Sequence, residues 1–182
     1  ITEYAAGSLP LTQSACVSLH ISHCRRCQGI AGQLADLGAS LFEAQDPVAV
    51  GDAQLNAVLA RLDEEVPLSY DKTNKDTSNT PAILQRLMCG DFSDLNWKNI
   101  GSTLRISYLQ AGDPQHELAI YHFNAGGRIP EHTHRGSEMT LILQGGFSDA
   151  HGSYHKGDCL VRRRGDVHAA TALQSEDCNC LV

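Results

Sequence analysis

His132 and His134 stand two residues apart, and Glu138 follows four further on, in a stretch whose apolar residues recur every second position. Strand side chains alternate between faces, so residues two apart point the same way. A strand through this segment aims His132, His134 and, if it continues, Glu138 into one space. His168 lies 30 residues beyond Glu138, near the end of another apolar segment, where an adjacent strand can return it to that space. Three imidazoles and a carboxylate suit zinc, iron, manganese or nickel. A lone histidine of this kind reads more simply as a surface residue beside a loop, but four ligand-type residues in register outweigh that reading.

The period of two extends well beyond this segment. From about Thr103, Leu104, Ile106 and Tyr108 alternate with polar neighbours, as do Leu118, Ile120 and His122, and then Met139, Leu141 and Leu143. Glycine pairs at 126 and 127 and at 145 and 146 punctuate these runs. Short strands at such spacing indicate an all-β sandwich or barrel. The first half has a helical period instead. Leu55, Val58, Leu59, Leu62 and Val66 form one helix face, with Asp52 as the N-cap. Cys27, Ile30, Leu34, Leu37 and Leu41 form a similar stripe, and another helix begins after Thr12 and runs toward His20. Between residues 67 and 81 the chain is polar, with the composition of a linker, and Ala82 to Met88 forms a short helix leading out of it. The expected organisation is multidomain α + β: a small all-α helical bundle over 1–68, a linker with a short helix over 69–88, and an all-β domain over 89–182.

With 182 residues, 42% of them hydrophobic, the chain can build a packed core. A formal net charge of −7 argues against direct nucleic-acid binding, which needs a basic face to neutralise phosphates. The Arg162, Arg163 and Arg164 run therefore reads as a solvated barrel rim, with Arg163 a candidate neighbour of the metal mouth. No apolar run approaches the roughly 20 residues that span a bilayer, and no signal-peptide core is present, so neither membrane insertion nor export is expected. Seven cysteines, an odd number, fit a reducing cytoplasmic setting better than a disulfide framework. Cys178 and Cys180 share a strand face, where a redox role is a lesser alternative to serving as small buried hydrophobes.

Cys24 and Cys27 belong to a second cluster. With His20 they form H-x3-C-x2-C, whose intervals of four and three place all three on one helix face. Thiolates plus imidazole make a strong zinc set, and zinc wants a fourth ligand. His23 points off that face, and Cys16 sits one turn before His20. The alternatives are a buried cysteine pair beside an incidental histidine, or a redox pair, although no thioredoxin-like βαβ pattern surrounds it.

Gly126, His132, His134, Glu138 and Gly145 reproduce the first cupin motif, G-x5-H-x-H-x3-E-x6-G, and Gly157, Gly165 and His168 give the second as G-x7-G-x2-H. Arg163 and Ala172 depart from it, where proline and asparagine are usual; these positions shape the turn and the strand after it. The resemblance implies a double-stranded β-barrel holding zinc or another divalent metal. Joined to Tyr4-Ala-Ala-Gly7, to H-x3-C-x2-C and to the helix around Leu55, nearly the whole chain resembles the ChrR-type zinc anti-sigma factors. What that implies is an anti-sigma factor, not an enzyme. Its helical zinc domain binds a sigma factor of the extracytoplasmic-function type and covers its surfaces for core RNA polymerase, and its cupin is associated with the response to singlet oxygen or related oxidants. In that family a further zinc-binding histidine precedes the Tyr-Ala-Ala-Gly segment, so the fourth ligand is expected upstream of Ile1. Leu55, Val58, Leu59 and Leu62 are the candidate partner-binding residues, with packing inside the bundle as the equal alternative. The competing functions are a metal-dependent cupin enzyme, of dioxygenase or isomerase type, with an accessory helical domain, and a metal-binding interaction module without sigma specificity.

Overall fold

The period-two segments form ten strands among the described residues of the computed structural model, which are 1–62 and 80–182. They are β1 (Lys98–Ile100), β2 (Leu104–Tyr108), β3 (Ala119–Phe123), β4 (Arg128–Thr133), β5 (Glu138–Gln144), β6 (Gly146–Asp149), β7 (Gly152–His155), β8 (Cys159–Arg162), β9 (Val167–Ala172) and β10 (Cys178–Leu181). Every pairing is antiparallel. One sheet has six strands in the order β1-β2-β3-β10-β5-β8, and the other has four in the order β4-β9-β6-β7.

The six-stranded sheet is apolar on both faces, and this decides how the helices are used. Its inner face joins Leu104, Ile106, Phe123, Ile142, Cys178 and Cys180 to Phe147, Ala170 and Ala172 of the other sheet, forming the core between them. The outer face presents Leu118, Ile120, Leu141 and Leu181, with Met139 and Leu143 packed at its margin. The alternating stripes at Leu118 and Ile120, and at Met139, Leu141 and Leu143, therefore face away from the inter-sheet core and toward helices.

The described residues also form five α-helices: α1 (Thr2–Ala5), α2 (Leu11–His23), α3 (Arg25–Glu43), α4 (Asp52–Leu59) and α5 (Ala82–Met88). Helix α5 matches the expected short helix residue for residue, and its Leu84 and Met88 pack on the outer sheet face. Helix α2 buries Ala15, Cys16, Val17 and Leu19, and Cys16 and Leu19 enter that same outer core. Its apolar face is thus taken by the sheet, with α5 alongside. Asp52 is not the N-cap of α4; Gly51 holds that position, and Asp52 lies in the first turn, where its negative charge complements the exposed N–H groups. The expected end of this helix at Val66 and the polar linker lie outside the described residues.

The chain divides into two units: residues 1–35 with 80–182, and residues 36–79. In the second unit the apolar side chains of α3 and α4 are open to solvent, Phe42 at 80% and Leu62, just past α4, at 70%. No helix among the described residues is long and apolar enough to cross a membrane. Because Leu19 is almost fully buried in the sheet-facing core, Leu19→Ala should cost about 2–5 kcal/mol. Urea denaturation followed by Trp97 fluorescence should register that loss, since Trp97 packs against the same cluster.

Candidate metal centres

The first centre forms where β4 and β9 pair. His132 lies directly across from His168 in this ladder, and His134 lies just past the end of β4. Glu138 is reached differently from the expected continuous strand. Residues 134–137 form a connection between sheets, and Glu138 opens β5 of the six-stranded sheet. The histidines converge through this change of sheet: Nε2 of His134 and Nε2 of His168 face each other at 2.9 Å. One ligand-capable atom from each of His132, His134 and His168 falls within 4.8 Å of the others. Glu138 adjoins the group, its Oε2 lying 3.3 Å from Nδ1 of His134.

A carbonyl can only accept, so the 2.9 Å contact of His132 Nδ1 with the Pro130 oxygen places the proton on Nδ1 and leaves Nε2 free to ligate. His168 has a buried Nδ1 without a hydrogen-bond partner. Burial, and next the adjacent His132, hold its pKa below the ordinary imidazole range, so it stays neutral, the form that ligates. Two imidazole nitrogens facing each other at hydrogen-bond distance need either a proton or a cation between them. The donor set therefore fits a divalent metal. A cavity of about 640 Å³ reaches His134 and Glu138, and Thr12, Gln13 and Cys16 of α2 form part of its wall.

Arg162 departs from the expected solvated rim. It stands opposite Glu138 in the β5–β8 ladder and turns inward to pair with the buried Asp149, while donating to the Tyr154 hydroxyl at 3.2 Å. Arg163 and Arg164 are exposed. The turn after them has a substitute for the missing proline: the Arg163 N–H donates to the Asp166 carboxylate at 2.8 Å, a bond proline could not make. Burial opposes ionisation of Asp149, but the His151 N–H, Arg162 and Tyr154 outweigh it and hold its pKa below the ordinary value. The inward turn of Arg162 carried no signal in the three-arginine run.

The second centre sits at a break between helices rather than on one helix face. His20 is in the last turn of α2, Cys24 is extended at φ −108° and ψ 100°, and Cys27 lies in the first turn of α3. The break folds the three inward until one ligand atom of each lies within 4.8 Å of the others. Nε2 of His20 is 3.3 Å from Sγ of Cys27. The Cys27 N–H donates to the Cys24 sulfur and lowers its pKa, favouring the thiolate, whereas burial raises that of Cys27. An imidazole and two sulfurs at this spacing fit zinc. His23 is engaged elsewhere, its Nδ1 2.8 Å from the Ser22 hydroxyl. Cys16 stays in the core, where burial pushes its thiol up to about 12. Among the described residues this group has three members.

Together these features define a class: a two-sheet β-barrel with a histidine-rich centre, bearing helices with a separate Cys/His centre. The ChrR Cupin-like domain family matches residues 85–182. The anti-sigma-E factor ChrR of Cereibacter sphaeroides is 33% identical over 182 residues, spanning 100% of this chain and 84% of that protein. The crystal structure of Rhodobacter sphaeroides SigE in complex with the anti-sigma ChrR contains a chain that superposes with a TM-score of 0.85 at 32% identity, covering 99% of this chain and 92% of that one. The chain belongs to the ChrR family of anti-sigma factors.

Purified protein should contain two metal equivalents by plasma emission, falling to about one when Cys24→Ser and Cys27→Ser are combined, and separately to about one in His168→Ala, if each set holds one ion. Removing a single partner of the buried ion pair, as in Arg162→Met, should cost about 3–5 kcal/mol. The depressed pKa of Asp149 gives stability that is present above the unfolded carboxylate value and is lost as pH falls through the folded one. In Arg162→Met, acid unfolding followed by circular dichroism should therefore begin at higher pH.

Proposed function

We propose that this chain is an anti-sigma factor that binds a sigma factor of the extracytoplasmic-function type, keeps it from core RNA polymerase, and so regulates transcription. The observation that carries this reading is the set of uncovered apolar side chains on and just beyond the helices: Leu37, Leu41 and Phe42 in one segment, and Leu55, Val58, Leu59 and Leu62 in the other. Helix α4 buries no residue of its own, and neither does α3. Amphipathic helices with open apolar faces recognise partners by burying those faces. The match along the whole chain to a relative solved in complex with SigE supports the same assignment.

In this reading 1–68 is the sigma-binding, zinc-holding part, 69–88 joins it to the barrel, and 89–182 is the cupin. Zinc on His20, Cys24 and Cys27 supplies binding energy that fixes the α2–α3 junction. The barrel set of His132, His134, Glu138 and His168 holds zinc or another divalent ion. The protein acts in the cytoplasm, where the sigma factor and polymerase are. Oxidative stress, singlet oxygen included, releases the partner; the partly exposed Cys24 and Cys27 are the oxidisable ligands.

Co-expression with such a sigma factor in zinc-containing medium should give a single complex on gel filtration; two separate peaks would sink the reading. Leu55→Asp with Leu59→Asp should weaken binding at least about tenfold, the scale of an interface hot spot. Circular dichroism of the free double variant should stay unchanged, because both residues are half or more exposed or nearly so.

A further inference from the structure

We propose that the barrel is part of the N-terminal metal centre: the backbone carbonyl of Gly157 is the outer partner that orients His20, and through it the barrel sets that centre's affinity for metal. This rests on the reading of His20, Cys24 and Cys27 as zinc ligands. His20 Nδ1 lies 2.7 Å from the Gly157 oxygen, across 137 residues of sequence. The carbonyl can only accept, so Nδ1 carries the proton. That leaves the Nε2 lone pair pointing at the centre, where Cys27 Sγ is 3.3 Å away. One bond thus fixes both the tautomer and the ring plane. Partners of this kind raise ligand basicity, and losing them typically costs about tenfold to a hundredfold in metal affinity.

The carbonyl is itself held firmly. Gly157 has φ +92°, in the left-handed region, within the turn joining β7 to β8. Its N–H donates to the Ile142 oxygen at 2.8 Å, and the Ile142 N–H donates to the Asp158 oxygen at 3.0 Å. The Lys156 N–H donates to Gly145 at 3.1 Å, and the Asp158 carboxylate accepts from the His155 N–H at 2.8 Å. The turn is therefore laced to β5 near its far end. The same strand begins at Glu138, beside the barrel centre, and Ile142 lies four residues on, about 13 Å at the usual rise per residue. A shift of β5 at Glu138 reaches the turn through backbone hydrogen bonds, and the turn holds His20. By linkage, any such coupling acts equally in both directions.

The test compares strained-glycine variants of the full chain. At residue 157 an added Cβ would meet only the His23 Cβ, at 3.7 Å, so Gly157→Ala acts by disfavouring the backbone conformation that aims the carbonyl. Gly101→Ala is the control, since Gly101 has φ +69° in the β1–β2 turn with open space around it and no contact with His20. Cobalt titration followed by the thiolate-to-cobalt absorption reports the Cys24/Cys27 centre alone, and chelator competition gives its affinity. Affinity should fall about tenfold to a hundredfold in Gly157→Ala and stay at the parent value in Gly101→Ala. Gly157→Asn, whose side chain tolerates positive φ, should recover most of it. The Nδ1 proton of His20, seen by nitrogen-15 correlation spectroscopy, should lose its hydrogen-bonded shift in Gly157→Ala only. Unchanged affinity in a folded Gly157→Ala, or an equal fall in Gly101→Ala, overturns the proposal. Absence of any thiolate–cobalt band in the parent chain instead removes the metal reading of His20, Cys24 and Cys27, and the proposal with it.

Discussion

Burial of one face of α2 against the outer face of the six-stranded sheet is the contact on which the rest of this protein depends. A sheet apolar on both sides must be covered twice. The four-stranded sheet covers the inside, and α2 and α5 cover the outside through Cys16, Leu19, Leu84 and Met88. This contact brings the start of the chain to its end. It places Thr12, Gln13 and Cys16 at the wall of the cavity that reaches His134 and Glu138, and one to two turns later sets His20 against the β7–β8 turn. A single helix thereby borders both centres.

The two centres are built by opposite means. In the barrel, the ladder dictates the geometry: His132 and His168 are cross-strand partners, and the backbone has already been ordered by pairing before any ion arrives. Burial, and next the adjacent His132, disfavour the charged form of His168. At the α2–α3 break, three residues near a helix junction have little surrounding core, since α3 buries none of its side chains. Such a junction gains far more from a metal than a strand pair does.

Much of this was legible in the sequence where a period fixes direction. A spacing of two placed His132 and His134 together, and glycines with motif spacing brought His168 to them. The step from His134 to Glu138 was not legible as it occurs, because a change of sheet between two ligands leaves the same spacing as a continued strand. Helix α2 was readable as a helix running from after Thr12 toward His20, yet nothing in its residues says whether a helix or a sheet will cover it. The inward turn of Arg162 was masked by two exposed arginines beside it. The Gly157 carbonyl had no sequence signal, because every residue carries an acceptor and only the fold selects one.

The division of labour among the helices follows from how the sheet uses them. The outer core has taken Cys16 and Leu19 of α2, and of that helix's large apolar side chains Leu11 is the one left well exposed. The side chains of α3 beyond residue 36, and those of α4, have no such cover among the described residues and keep Leu41, Phe42, Leu55 and Val58 exposed. A chain that held these faces only for its own core would bury them, as it buries Leu19 and Leu84. Leaving them open costs solubility, a cost that is offset when a partner covers them.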